Sequence, residues 1–320
     1  MIRVTEDSAE IQGILSRSQS DFPVSALRYT ALPYFASIQN SGFSDESFVI
    51  LKNDLPICSA VRVKASGKIG FFDQPFRVEF SKGFFRGDSK VAFDSAFLHA
   101  VWGSEVDSSD LRLELPVAEE QTNGLLERLL PFANHHTHHV EGYIDVFATG
   151  DNPISHLRKS YRHEIRKTEP KLDEVRTFFG EIDSDVFDAF QALHLASAGK
   201  VTRPQESWDQ QKFAIEDRRA SLTTVSFESQ IVGATFSWLA PSSGLYGTGA
   251  YDRTKFSQLS VSHVSLFRAI EHAREIGVRQ YILGEIFSTG GTPKQRNISN
   301  FKRGFSTNRK HFHRLQLSRT

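Results

Sequence analysis

The chain has a single cysteine, Cys58, among its 320 residues. That excludes an intramolecular disulfide and any zinc cluster built on thiolates. Within Leu55-Pro-Ile-Cys-Ser-Ala-Val the thiol reads as part of a buried strand, not as a nucleophile. No apolar run approaches the roughly 20 residues that a membrane-spanning helix needs, so no integral membrane segment is expected. The opening Met1-Ile-Arg-Val-Thr-Glu-Asp carries acids where a secretory signal has an apolar core, and a cytoplasmic location is expected. No Ser/His/Asp arrangement stands out, which leaves a hydrolase without specific support.

Net charge is also absent, but the balance hides an asymmetry. Residues 1–150 hold 13 Lys and Arg against 20 Asp and Glu, and residues 151–320 hold 25 against 18. The halves thus carry −7 and +7, and the eight basic residues from Lys294 to Thr320 have no acidic residue among them. A basic field of this kind favours phosphate-bearing partners such as nucleotides, RNA or anionic headgroups. A solvated basic tail is the competing reading.

What is present reads as mixed α/β. Ser47–Lys52 and Ile57–Val63 flank the polar turn Asn53-Asp54 as a hairpin. Leu125 to Phe132 has helical apolar spacing, and Val140 to Ala148 alternates as a strand. Gly150-Asp-Asn-Pro-Ile-Ser is a turn and helix entry, which divides the chain into lobes of 1–150 and 151–320. Beyond it, helices are expected from Ser155 to about Lys167, over Ser184–Ala198, and from near Pro204 to about Arg218. A second hairpin joins Leu222–Phe227 to Ile231–Leu239, and Gly244–Tyr251 follows as a strand. A helix from Ser260 or Ser262 to Ile276, with Leu266, Phe267, Ile270 and Ala273 on one face, ends at Gly277 before the strand at Tyr281. A strand–helix–strand unit after antiparallel strands predicts a mixed sheet.

Four stretches carry chemistry. In His156-Leu-Arg-Lys-Ser-Tyr-Arg-His-Glu-Ile-Arg-Lys, a continuous helix would align Arg158, Arg162 and Arg166 on one face, a geometry suited to phosphate. In Gly199-Lys-Val-Thr-Arg-Pro-Gln-Glu-Ser-Trp-Asp, Arg203 offers an anion clamp and Trp208 a stacking surface, or else a core side chain. In Tyr246-Gly-Thr-Gly-Ala-Tyr-Asp-Arg, glycines inside a strand mark a bulge or close approach, where backbone N–H groups can meet an oxyanion. In Ile298-Ser-Asn-Phe-Lys-Arg-Gly-Phe, Lys302 lies between two aromatics that can fix its stem. His263 and Glu285, at a helix start and a strand end, are candidates for the base that takes an amine proton. His135, His136, His138 and His139, with Glu141 nearby, are a histidine run, but neighbours in sequence rarely face one point and no metal is expected.

Together these four blocks resemble, in order and over about 150 residues, the peptidoglycan-bridge (FemAB-like) branch of the GNAT acyltransferases. The resemblance implies an α/β (α+β) fold of two GNAT-like lobes, each a mixed sheet flanked by helices. It implies transfer of an aminoacyl or acyl group to an amine, by direct attack and without a covalent enzyme intermediate. The donor would be an aminoacyl-tRNA or an acyl-CoA. The acceptor would be a nucleotide-linked or amine-bearing small molecule, such as a cell-wall or surface-glycan precursor. Lys302, Tyr251 and Glu285 become the expected catalytic residues. Arg158, Lys159, Tyr161, Arg203, Trp208 and Arg253 become the expected substrate- and phosphate-binding residues. Where ordinary GNAT enzymes carry a glycine loop for the CoA pyrophosphate, this chain reads Arg253-Thr-Lys-Phe-Ser-Gln-Leu-Ser. That departure, with the basic C-terminus, supports a second reading: a non-catalytic RNA- or phosphate-binding protein that keeps the fold.

Overall fold

The computed structural model describes residues 1–39, 42–81, 90–102, 110–117, 120–148, 153–255, 258–286 and 292–318. In chain order the first elements are β1 (Ile2–Thr5), α1 (Ser8–Arg17), α2 (Pro23–Gln39), β2 (Phe43–Asp45), β3 (Phe48–Lys52), β4 (Leu55–Ala60), β5 (Val63–Ala65), β6 (Lys68–Gly70), β7 (Phe76–Phe80), α3 (Lys90–Trp102), β8 (Asp110–Pro116), α4 (Glu120–Leu129) and β9 (Ala133–Asp145). Then come α5 (Lys159–Thr168), β10 (Glu174–Phe178), α6 (Ser184–Ala198), α7 (Gln205–Glu216), β11 (Ala220–Phe227), β12 (Gln230–Ala240), β13 (Ser243–Tyr251), α8 (Val261–Glu275), β14 (Gln280–Glu285), α9 (Pro293–Phe305) and β15 (Asn308–Leu317). By contacts the chain forms two units. One is Met1–Leu32, Gln39–Val140 and Lys310–Thr320, and the other is Pro33–Ile38 and Glu141–Arg309.

Each unit follows the same plan. In the first, β3, β4 and β7 pair antiparallel, α3 follows, and β8 returns parallel to β7. In the second, β11, β12 and β13 pair antiparallel, α8 follows, and β14 returns parallel to β13. An antiparallel strand then flanks each parallel pair, β15 on β8 and β9 on β14. The chain is thus two GNAT-like lobes, each a mixed sheet with helices.

Local chemistry explains the regular parts. The two hairpins turn at Asn53-Asp54 and Glu228-Ser229, all four with positive φ, as the tight turn matching strand twist requires. The expected face of α8 is the buried one: Leu266, Phe267, Ile270 and Ala273 join Val225, Val232 and Leu239 in the second unit's core. Cys58 is fully buried, and burial pushes its thiol well above the ordinary range.

Two expectations shift. The histidine run lies inside a longer strand, β9, which begins at Ala133 and not near Val140. The helix expected from Ser155 begins only at Lys159, after a short 3-10 turn over Pro153–His156. Arg158, the residue before α5, has non-helical backbone (φ −49°, ψ 138°), and its N–H donates to Gly304 O at 3.0 Å.

Candidate active site

In the second unit, β13 and β14 pair in parallel only from Ser243–Leu245 against Gln280–Ile282. Beyond those pairs β13 continues to Tyr251 and β14 to Glu285 with no further pairing between them. The register of β13 against β12 slips at Phe236/Ser237, which leaves Gly247 as an extra, bulged residue just past the parting. A Cβ at Gly247 would press on Phe236 and Trp238 at 3.1–3.2 Å. Parted strand ends beside a bulge expose backbone groups that can engage a carbonyl.

The end of β14 is irregular too. Its register against β9 slips between Ile282 and Gly284, and Gly284 takes φ +79°. Lys302 reaches this bulge from α9, donating from Nζ to Glu285 O at 3.3 Å. Burial lowers its pKa, while the charges of Glu141 and Glu285 oppose the shift. The lysine is held by its helix. Thr292 caps α9 by a reciprocal box with Gln295, and Pro293 opens it.

Two of the four sequence blocks meet around that helix. Tyr161 of α5 lies against His263 of α8 at 4.3 Å between ring centroids, and against Phe305 at 5.3 Å. Phe301 packs on Phe305 at 5.2 Å. The Tyr161 ring fills the space where Gly304 lacks a side chain, since a Cβ there would fall 2.0 Å from the ring. Tyr161 OH donates to Asn300 O at 3.2 Å. Burial pushes His263 down to about 4, so it is neutral at physiological pH. Gly304→Ala is therefore expected to cost roughly 1–3 kcal/mol by overpacking. The double variant with Tyr161→Ala should recover part of that loss in chemical unfolding, and strictly additive costs would refute the contact.

The other sequence-predicted residues are placed as follows. Tyr251, at the end of β13, has its hydroxyl 3.0 Å from Thr235 Oγ1 and 3.4 Å from Tyr246 OH. Ser265 continues that chain by donating to Thr235 Oγ1 at 2.6 Å, and burial raises the pKa of Tyr251. Tyr251 and Arg253 also line an open groove of about 800 Å³, walled by Ala189, Leu193 and Ile231. Arg158 turns its guanidinium over the Tyr161 ring at 5.3 Å, and Lys159 is exposed in the first turn of α5. Because Arg158 lies outside the helix, the expected row with Arg162 and Arg166 is not continuous.

Arg203 and Trp208 come together in a second place. The Arg203 guanidinium stacks on Trp208 at 3.8 Å and donates to Tyr34 OH at 2.5 Å. Trp208 is also packed edge-on by Phe190 and His194, so it is both stacking surface and core. Arg203 is only 9% exposed, its Nε has no hydrogen-bond partner, and no carboxylate among the described residues pairs with it. Burial, then the charge of Arg203, pushes His194 down to about 4. A buried cation without a counter-charge suits an anionic ligand.

At the start of α8, where ordinary GNAT enzymes hold pyrophosphate, α5 supplies the contacts. Ser260 N donates to Thr168 Oγ1 at 3.1 Å, and Ser260 Oγ donates to Glu164 at 2.8 Å. A carboxylate thus already faces the positive end of that helix.

The sequence reading missed Glu141 as a charge acting on Lys302, and it missed Glu164, Tyr34 and His194. It also missed the partners of the histidine run. His136 sits 3.0 Å from His313, and His138 sits 3.2 Å from His311, across β9 and β15. His139 faces the other way, 3.7 Å from Glu114. Among the described residues no group of three or more His, Cys, Asp or Glu side chains is arranged to hold a metal ion, and no helix is long and apolar enough to cross a membrane.

Residues 155–293 match the family described as Acetyltransferase (GNAT) domain. No curated protein sequence matches the chain. Among solved structures the chain is similar to FemX, at 12% identity and a TM-score of 0.66, over 97% of this chain and 96% of that one. It is similar to L-PGS from Bacillus licheniformis at 10% identity and a TM-score of 0.56, covering 98% and 93%. It is similar also to a tandem GNAT protein from the clavulanic acid biosynthesis pathway at 11% identity and a TM-score of 0.53, covering both chains fully. Such low identities show a shared two-lobe fold. Residues 155–293 thus match a GNAT acetyltransferase domain, and the whole chain shares the two-lobe fold of these structures.

Proposed function

We propose that the chain is a cytoplasmic N-acyltransferase that moves an aminoacyl or acyl group onto the amine of a cell-wall or surface-glycan precursor carrying a nucleotide. The transfer chemistry belongs to the lobe of residues 151–320, and the donor is an aminoacyl-tRNA or a CoA thioester. The observation that carries the reading is Lys302, whose ammonium is held against the bulged end of β14, where β14 no longer pairs with β13. A fixed cation beside bare strand ends can stabilise the oxyanion that forms when an amine attacks an activated carbonyl. The rest of the rate comes from holding amine and carbonyl together. Glu285 is the candidate base, and Tyr251 lines the groove beside α6. The contacts of Glu164 and Thr168 at the start of α8 support a donor that does not place its pyrophosphate there.

Arg203 supports a phosphate-bearing acceptor. Its charge is buried without a carboxylate, so an acceptor pyrophosphate would supply what the fold leaves out. Arg203→Gln is expected to weaken binding of a nucleoside diphosphate sugar about tenfold or more, the worth of a charge-assisted hydrogen bond. The melting temperature without ligand should hold or rise, because an uncompensated buried charge is removed. Calorimetric titration and thermal melting check both, and unchanged affinity with a lower melting temperature would make Arg203 purely structural. The reading as a whole is tested by presenting acyl-CoA thioesters and charged tRNAs for thermal stabilisation, then following donor consumption with an amine acceptor. If none stabilises the protein and none is consumed, the reading falls.

A further inference from the structure

The histidine run of β9 cannot converge on one point by itself, but β15 lies beside it in the sheet and brings two more imidazoles. His136 Nε2 stands 3.0 Å from His313 Nδ1, and His138 Nε2 stands 3.2 Å from His311 Nδ1. Each strand supplies its two histidines at i and i+2, so all four project from one face of the ribbon. Strand alternation turns His135 and His139 away from that face, and His139 meets Glu114 instead. His136, His138 and His311 are exposed, and His313 is half-buried. The two pairs repeat one geometry. In both, β9 gives Nε2, β15 gives Nδ1, and the ring centroids are 5.1 Å apart.

Two neutral imidazoles at this distance can share one proton. The same spacing fits a shared ion. Two nitrogens about 2.1 Å from one ion are about 3.0 Å apart at right angles and about 3.4 Å apart at the tetrahedral angle. Both observed distances fall within that span. To admit the ion, the shared proton moves to the outer nitrogen of its own ring. Both inner nitrogens then present lone pairs, and neither ring changes charge. Burial, then the charges of His136 and His138, hold His313 below the usual imidazole range, which keeps it neutral at physiological pH. The surroundings add no anion. Arg309 and Lys310 precede His311 on β15, and Leu115 of β8 stands opposite His313. Among the described residues no carboxylate pairs with any of the four rings. Attraction therefore comes from ligand chemistry and not from charge. That favours ions that prefer imidazole, such as zinc, copper(II) or nickel(II), over magnesium or calcium.

We propose that each pair, His136 with His313 and His138 with His311, is a two-point chelate for a divalent transition-metal ion, with water completing the coordination. The ion clips β9 to β15. With two protein ligands each, these sites are open, unlike the groups of three or more ligands that are absent among the described residues. Two ions would stand about 7 Å apart, two residues along the ribbon, so the second binds more weakly than the first.

The test uses the full-length chain without an affinity tag, stripped by a chelator and titrated calorimetrically with zinc chloride in a non-coordinating buffer. Two ions per chain are expected, with dissociation constants on the order of 1–100 μM, about half the binding free energy of a four-ligand zinc site. Saturating zinc should raise the melting temperature by about 2–5 °C. Copper(II) on the protein should show nitrogen hyperfine splitting in its EPR spectrum. Zinc affinity should fall at least about tenfold at pH 5.5, because imidazolium has no lone pair to give. His136→Ala should remove one ion, and the double variant with His138→Ala should remove both. His135→Ala should remove neither. These rings are exposed, so the metal-free melting temperature should hold. His311→Ala, on the other strand, repeats the test if a β9 variant folds poorly. No binding below about 1 mM zinc overturns the proposal. So does calcium binding as tight as zinc, or unchanged zinc uptake in the double variant, which would place the ion elsewhere on the chain. A single ion lost equally in His136→Ala and His138→Ala overturns the arrangement of two chelates.

Discussion

Lys302→Ala is expected to lower kcat/KM by about 100-fold or more, the usual effect of removing a donor to a developing oxyanion. The melting temperature should change little. The two effects separate because α9 is anchored by other residues. Phe301 and Phe305 pack into the aromatic cluster with Tyr161 and His263, and Thr292 with Gln295 caps the helix start. Among the described residues the ammonium makes one hydrogen bond, to a main-chain oxygen. Burial also lowers the lysine's pKa, so the charge it contributes is present at low pH and is lost as pH rises, earlier than for a surface lysine. Rate profiles of wild type and Lys302→Arg compare directly on this point, since arginine keeps its charge throughout. A fall in melting temperature that tracks the fall in activity would mark Lys302 as a packing residue.

The largest expected effect on stability lies in the first unit. Glu114 is 2% exposed and each of its carboxylate oxygens takes two N–H groups from one guanidinium. Arg77 donates to one at 3.1 and 2.9 Å, and Arg314 to the other at 3.0 and 2.7 Å. Arg77 in turn stacks on Phe312 at 4.0 Å. Burial alone would raise the carboxyl's pKa, but the charges of Arg77, His139, Arg28 and Arg314 outweigh it and hold it at about 2. A folded pKa below the ordinary value means the stabilisation is complete above about pH 4.5 and is lost as pH falls through about 2. At neutral pH the shift corresponds to roughly 3 kcal/mol. Glu114→Gln leaves Arg77 buried without its counter-ion and is expected to cost about 3–5 kcal/mol. Denaturant unfolding at pH 7 and pH 2.5 checks this: the gap between variant and wild type should narrow at the lower pH. A gap of equal size at both would assign the loss to packing.

Local signals made much of the fold legible. The turns at Asn53-Asp54 and Glu228-Ser229 sit between β-branched runs, and the face of α8 repeats with helical spacing until Gly277. Those features depend on neighbours within a few residues. The features that were not legible depend on distant ones. Ser155 looks like a helix cap, but α5 starts only at Lys159, after Arg158, whose N–H bonds Gly304 far along the chain. The histidine run looks isolated because its cross-strand partners, His311 and His313, lie far along the chain. Glu141 gave no signal because only the register of β9 on β14 brings it opposite Glu285. The motif glycines were legible as special, yet their reasons differ. Gly247 is the bulged residue of β13, whereas Gly304 makes room for a ring from another helix.

The repeated plan has a further meaning when the two parallel strand pairs are set side by side. In the second lobe, β13 and β14 part beside a bulge. In the first, the corresponding pair places Arg77 beside Glu114 in register, with the buried ion pair across it. Two copies of one plan thus treat the same seam differently: the second leaves its strands parted, and the first lays a buried ion pair across it. In a collection of diverged relatives, Arg77 and Glu114 should therefore vary together, and independently of the residues around Lys302.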